Sequence, residues 1–318
     1  MKRLSVKMVL GISGSIVLGT LALFVSCQSG NKQTYDETPT RGDIKISVDE
    51  SYQPIIDSEI YAFTSFYQYA KITPSYKPEV DIINDLMNDS VKLIVTNKQL
   101  SPEQIQTLRD TLIIARTNAF AYDALALIVN KENRDTLLTY NNVKDLFLGK
   151  IKTWKDLNAN SKLDKISVVF DNSKSGNVRY FKEKFELTNN LPDNFYAVNT
   201  NEEVINFITK NRNALGIISV NWISDKDDPK SKIFKKNIRV MAVSSSYDNT
   251  TFSLPEQGAI YDKSYPFTRE VYLISRETFA GLGSGFVQFV THDQGQLIIL
   301  KSGLVPSVSP IRLIQLKH

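Results

Sequence analysis

From residue 43 to residue 306 the apolar residues keep changing period, from two to about 3.6 and back. "DIKISVD" alternates as a strand does, and "PIIDSEIYAFTSFYQYA" then puts Ile56, Ile60, Phe63 and Tyr67 on one helical face. The strand "KITPSYK" leads to the helix "PEVDIINDLMND", whose Pro78 suits a first turn. "SVKLIVTN" is a strand, "SPEQIQTLRDT" a helix with a Ser101–Gln104 capping box, and "DALALIVNK" a further strand. The pattern then recurs. "NVKDLFLGK" is helical behind Asn141 or Asn142, "KISVVFD" is a strand, and "TNEEVINFITKNRN" is a helix boxed by Thr200 and Glu203. "LGIISV", "IRVMAVS" and "REVYLIS" are strands, "GFVQFVTHDQGQLIILKSG" is one helix and "IRLIQL" is extended. Strands that alternate with helices predict an α/β fold with mainly parallel sheets.

The amino terminus follows another rule. Lys2, Arg3 and Lys7 precede an uncharged stretch that runs to "FVSC", the layout of a secretory signal. Cys27, the one cysteine, stands where a lipoprotein signal ends, so residues 1–26 are expected to be a signal peptide and Cys27 the lipid attachment site. Residues 27–41 carry no apolar period and form a tether. Removing residues 1–26 takes away three basic and no acidic residues, so the formal charge falls from +4 to +1. A nearly neutral mature chain gives no sign of nucleic-acid binding.

Catalysis finds little support. His292 lies in "VTHDQGQ" and reads as part of a polar helix face, while His318 is the last residue. The S-x-x-K from Ser29 to Lys32 falls in the tether, where nothing could orient it. One cysteine and two histidines leave no structural zinc set, and no metal or cofactor is expected. Binding has a better candidate. "FDNSKSGNVRYFKEKF" (170–185) is a polar turn followed by a helix with Val178, Phe181 and Phe185 at helical spacing. Asn172, Ser173, Ser175, Gly176 and Asn177 thus gather where unpaired N–H groups and a partial positive charge accept an anion. Each could equally be part of a plain N-cap.

Several ordered segments together resemble the phosphate-binding proteins of ABC importers. "LFLGKIKTWKDLN" (146–158) is similar to their F-x-G-x-I-x-x-W segment, "SKSGN" to their Ser-Gly-Thr loop, and "ALGIISV" to their G-A-I-G-Y-V strand. "YPFTREVYLI" (265–274) resembles their return strand, "FVQFVTHDQGQLIILKSGLVP" (286–306) their terminal helix and loop, and "VKLIVTNKQLS" (91–101) their third strand and loop.

This resemblance implies a two-lobed type II periplasmic binding-protein fold with a ligand cleft between the lobes. Lobe one would be residues 42–120 and 266–318, lobe two 121–265, with crossovers near 119–127 and 265–272. It also implies the ligand contacts. Ser175 and Gly176 match directly, and Asn177 replaces a threonine. Ser51 and Tyr52 lie in the first loop, and Asn97 stands at an Asp-or-Arg position beside Lys98. Departures are expected to matter: Asp171 stands where the family has arginine, Glu50 precedes Ser51, and Glu79 is near an expected serine. Lys98, Lys174 and Arg179 are the candidate compensating cations.

The implied function is a lipid-anchored monomer of the cell envelope, facing the periplasm or exterior. It would capture phosphate or another small oxyanion for an ABC permease. The alternative is a non-transport envelope sensor or interaction protein with a degenerate cleft.

Overall fold

The computed structural model describes residues 37–308. The expected signal peptide, Cys27, His318 and the strand "IRLIQL" lie outside them. Among the described residues no helix is long and apolar enough to cross a membrane.

Among the described residues thirteen strands form two sheets: β1 (Gly42–Asp49), β2 (Ala70–Lys77), β3 (Leu93–Thr96), β4 (Arg116–Asn130), β5 (Leu137–Leu138), β6 (Ser167–Phe170), β7 (Phe195–Ala197), β8 (Ala214–Ser219), β9 (Ile238–Val240), β10 (Ala242–Ser244), β11 (Phe252–Ser253), β12 (Thr268–Ser275) and β13 (Val305–Pro306). The larger sheet runs β2-β1-β3-β12-β4-β8-β6-β7, with β9 and β13 also pairing to β4. β2, β1 and β3 are mutually parallel, as are β8, β6 and β7. These two wings are the sheets of the two lobes. Between them β12 and β4 run antiparallel to their neighbours, so the parallel pattern expected from strand–helix alternation holds within each wing and breaks at the middle. The 15-residue β4 pairs with β12 over Arg116 to Ala124 and with β8 over Leu125 to Val129, so one strand serves both lobes. The smaller sheet is β11-β10-β5.

Wing strands covered by helices on both faces must be apolar throughout. β3 ("LIVT") and β8 ("ALGIIS") are buried at every position. Close packing at Gly216 lets the helix Asn201–Lys210 lie on β8, because a Cβ there would come within 2.8 Å of Ile128 and Ile208. An aromatic platform supports the next helix. Phe181 stacks on Phe147 at 4.7 Å and meets Phe267 edge-on at 4.9 Å, which fixes Gly176–Lys184 against the sheet.

Local differences from the sequence reading have physical causes. The first helix is Gln53–Phe66, shorter than the apolar period suggested, because Tyr67 leaves helical backbone and Ala70 enters β2. The cap of Tyr140–Phe147 is Thr139, with Asn142 completing the box from inside the helix, in place of a cap at Asn141 or Asn142. Thr200 caps its helix, but the Glu203 carboxylate takes the Asn199 N–H and closes no box. "IRVMAVS" divides at Met241 into β9 and β10, which join different sheets. "GFVQFVTHDQGQLIILKSG" is two helices, Leu282–Thr291 and Asp293–Lys301, parted by extended backbone at the exposed His292.

The helix Gln53–Phe66 also carries a local conflict. Its inward face bears Ile55, Ile56, Phe63 and Glu59. Glu59 is fully buried, and neither carboxylate oxygen has a hydrogen-bond partner. Burial pushes its pKa up to about 9.

Candidate functional site

The strand-to-helix turns of the two lobes meet between the wings. In the first lobe β1 ends at Asp49, whose carboxylate accepts the Ser51 N–H at 3.0 Å and holds the 3-10 turn Glu50–Tyr52. The Glu50 carboxylate instead leaves its own lobe. It accepts the backbone N–H of Asn201 at 3.1 Å and the Asn201 side-chain amide at 2.5 Å. Asn201 opens a helix of the second lobe, so Glu50 occupies a terminus whose unpaired N–H groups and dipole favour negative charge. Ser51 adds two links: its hydroxyl donates to Asn177 Oδ1 at 3.3 Å, and its carbonyl accepts from Asn221 Nδ2 at 3.1 Å.

The turn after β2 delivers a second carboxylate. Glu79, 2% exposed, accepts from Arg179 Nε at 2.5 Å and Nη2 at 2.9 Å. Arg179 also donates to Asn97 Oδ1 and to Glu183. Gly176 is required here, since a Cβ would sit 2.8 Å from Glu79 Oε2 and closer still to the Asn97 amide. At the rim Lys174 pairs with Asp81 at 3.2 Å.

The middle strands supply the floor. Arg269 on β12 donates from Nε to Asp123 Oδ2 on β4 at 2.9 Å. Its Nη2 lies 2.8 Å from the same oxygen without hydrogen-bond alignment, and Nη1 has no partner. Ser219 donates its hydroxyl to Asp123 from the third side, at 3.0 Å. The guanidinium lies over the Tyr52 ring, 5.4 Å from its centre, which adds a cation–π contact. Tyr52 Oη and Asn177 Nδ2 are likewise buried without a well-formed hydrogen bond, although they lie near Asn97 and Asp171 respectively. In this buried cluster Arg269 Nη1 thus has no partner, and Tyr52 Oη and Asn177 Nδ2 have only poorly aligned ones. Asn221 Oδ1 is an unpaired acceptor at its edge.

Carboxylates crowd the same space, and burial dominates their titration. Burial, then the Glu79 charge, pushes Asp49 up to about 7. Burial takes Glu50 up to about 8 against the Asn201 hydrogen bonds. Asp171, buried and receiving the Ser175 hydroxyl at 2.7 Å, is pushed up to about 6 by burial. Asp123 is also raised by burial, although Arg269 pulls the other way. Asp49 and Glu50 therefore reach neutral pH partly protonated, able to donate as well as accept. Among the described residues no group of three or more His, Cys, Asp and Glu is placed to hold a metal ion.

The residues singled out from sequence fall into two sets. Ser51, Tyr52, Asn97, Ser175, Gly176 and Asn177 come together in the cleft. Ser175 stands at the N-cap, yet its side chain makes no capping bond and is turned to Asp171. Asn172 builds the turn, accepting the Lys174 N–H on its side chain and the Ser175 N–H on its carbonyl, while Ser173 is exposed. Lys98, half-buried, donates its backbone N–H to Thr96, and its ammonium pairs with nothing among the described residues. Of the three candidate cations, Arg179 enters the cleft but is held by Glu79, and Lys174 closes the rim. Arg269, Asp123 and Asp49 were missed. The signal available for Arg269 was a lone arginine in a strand otherwise reading as buried.

A family profile described as the PBP superfamily domain matches residues 33–294. The chain is similar to the phosphate-binding protein PstS of Staphylococcus epidermidis, 24% identical over 287 residues that span 89% of this chain and 85% of that protein. PstS of Staphylococcus aureus is 24% identical over 288 residues, spanning 89% and 84%. Among solved structures, a Clostridium perfringens protein assigned to phosphate ABC transport and crystallised with phosphate bound superposes with a TM-score of 0.70 at 23% identity, covering 84% of this chain and all 100% of that one. An ABC-type phosphate transport receptor from Vibrio cholerae gives 0.61 at 20% identity, covering 83% and 99%.

Proposed function

We propose, from the premise that this chain belongs to the PBP superfamily, that it captures phosphate or a closely related oxyanion in its cleft for an ABC permease. The observation that carries this reading is the buried convergence of Arg269 Nη1, which has no partner, with Tyr52 Oη and Asn177 Nδ2, which lack a well-formed one. A ligand rich in acceptor oxygens meets that need, and the relatives named above are phosphate-binding proteins by name. The sensor alternative has no comparable support, and binding rather than catalysis suits the family. The lobe limits that fit are 42–120 with 266–318, and 121–265.

The cleft's carboxylates make binding depend on pH. Each of Asp49, Glu50 and Asp171 loses its charge as pH falls through its raised pKa, so repulsion of an anion falls in the same direction. Sulfate keeps its charge across this range and isolates the protein's contribution. Its affinity is expected to rise as pH drops from about 8 to about 6, by up to ~tenfold per unit for one linked proton. Calorimetric titration of phosphate and sulfate at several pH values checks this. Failure of both to saturate at any pH overturns the oxyanion reading, and a flat profile overturns the role of the carboxylates.

The permease requires a protein held outside the cytoplasm, which the Lys2–Cys27 layout supports. Cys27 is proposed as the lipidated first residue of a mature monomer in the envelope. Cys27→Ser should then accumulate as unprocessed precursor without fatty-acid label, and normal maturation of that variant would refute the anchor.

A further inference from the structure

A cavity of about 480 Å³ is lined by none of the cleft residues described above. Its apolar wall is Val220, Ile223, Val240, Leu254 and Leu300. Lys226, Lys235 and Lys301 stand on its lining, opposed by Glu256. The three lysines are exposed at its rim, and none of them forms an ion pair among the described residues. Partial burial and then the Lys226 charge lower the Lys235 pKa, while the Glu256 carboxylate pulls it the other way. The two ammonium groups thus repel each other, and Glu256 offsets only part of that. The walls are tied: Gln257 Nε2 donates to the Leu300 and Leu304 carbonyls, and Ser224 Oγ donates to the Ser302 carbonyl at 2.7 Å. A braced cavity of this volume can take a small organic molecule.

We infer that this cavity binds an organic acid: an apolar body against Ile223 and Leu300, and a carboxylate or similar anion among Lys226, Lys235 and Lys301. An anion placed there gains from three cations that outnumber the single Glu256 carboxylate, and it relieves the repulsion between two of them. A neutral or cationic molecule of the same shape gains neither. Inorganic phosphate has no surface to set against the apolar wall, so this site is separate from the cleft.

The test uses the full-length chain saturated with phosphate and three probes of one shape: 4-phenylbutyrate, 4-phenylbutanol and 4-phenylbutylamine. Phenylbutyrate is expected to saturate one site per chain, with the alcohol weaker and the amine weaker still. Lys235→Ser and Lys226→Ser should each weaken it by about fivefold, the loss of one partly screened charge pair. Leu254→Asp should abolish it, and Lys71→Ser on β2 should change nothing. Phosphate affinity should be unchanged in all of these variants. Equal binding of acid and amine, wild-type affinity in the lysine variants, or competition between phenylbutyrate and phosphate would each overturn the assignment. Because phosphate binding is read separately, its failure would count against the cleft reading and leave this one standing or falling by itself.

Discussion

Replacing Arg269 by methionine is expected to cost the protein about 3–5 kcal/mol of stability and to weaken oxyanion binding by about a hundredfold. The stability loss follows from Asp123, which is fully buried and would be left with the Ser219 hydroxyl but no cation. The binding loss is the upper end of the roughly 1.5–3 kcal/mol of a hydrogen bond to a charged group, taken from the unpaired Nη1. The two effects are separable. Removing the stranded charge as well, in Arg269→Met with Asp123→Leu, should restore most of the stability, since a buried pair replaced by apolar residues is often nearly neutral. It should restore none of the binding. Chemical denaturation and calorimetry on the two variants check both halves. Wild-type affinity in the folded double variant would remove Arg269 from the ligand's contacts.

The second large effect has the opposite sign. Glu59→Met is expected to stabilise the protein by about 3 kcal/mol at pH 7. The carboxyl titrates near its ordinary 4.5 when unfolded and near 9 when buried, so the folded state binds the extra proton between those values. Stability is therefore unaffected by this group below pH 4.5 and falls by about 1.4 kcal/mol per unit as pH rises toward 9. Methionine removes that slope and fills a similar volume. Glu59→Gln should remove the same slope with a smaller gain, because its amide would remain buried and unpaired. Denaturation midpoints at pH 5, 7 and 8.5 distinguish these outcomes. A Glu59→Met protein weaker than wild type at pH 8.5 would show that the carboxylate has a partner.

How much of this could be read from the chain depended on how far apart the interacting residues stand. The Ser101–Gln104 box is local, its partners three positions apart, and was legible. Thr139 was obscured because Asn141 and Asn142 both have the chemistry of a cap, and because its box partner is an asparagine inside the helix. The fold was legible from the order of its strands and helices, but the antiparallel middle was not: period marks a strand without its direction. Ser175, Gly176 and Asn177 were found because three neighbours in sequence are neighbours in space. Arg269 meets Asp123 across 146 residues and Glu50 meets Asn201 across 151, so a lone charge in an apolar strand hints at burial for Arg269 but nothing local names either partner. Asp171 and Glu79 look adverse to an anion in sequence. In the fold Asp171 holds the Ser175 hydroxyl and Glu79 holds Arg179, so each already has a partner.

Arg179–Glu79, Lys174–Asp81, Asn201–Glu50 and Asn221–Ser51 all join one lobe to the other, so whatever is enclosed leaves only when these bonds part together. Residence time is then set largely by the clasp and only partly by the fit of the guest. The exposed Lys174–Asp81 pair contributes little to that barrier. The half-buried Arg179–Glu79 pair and the buried Glu50–Asn201 bonds contribute more, and salt screens them less. A membrane partner that takes delivery must therefore favour the parted lobes by its own contacts, because only a difference in affinity between the two forms can shift their balance.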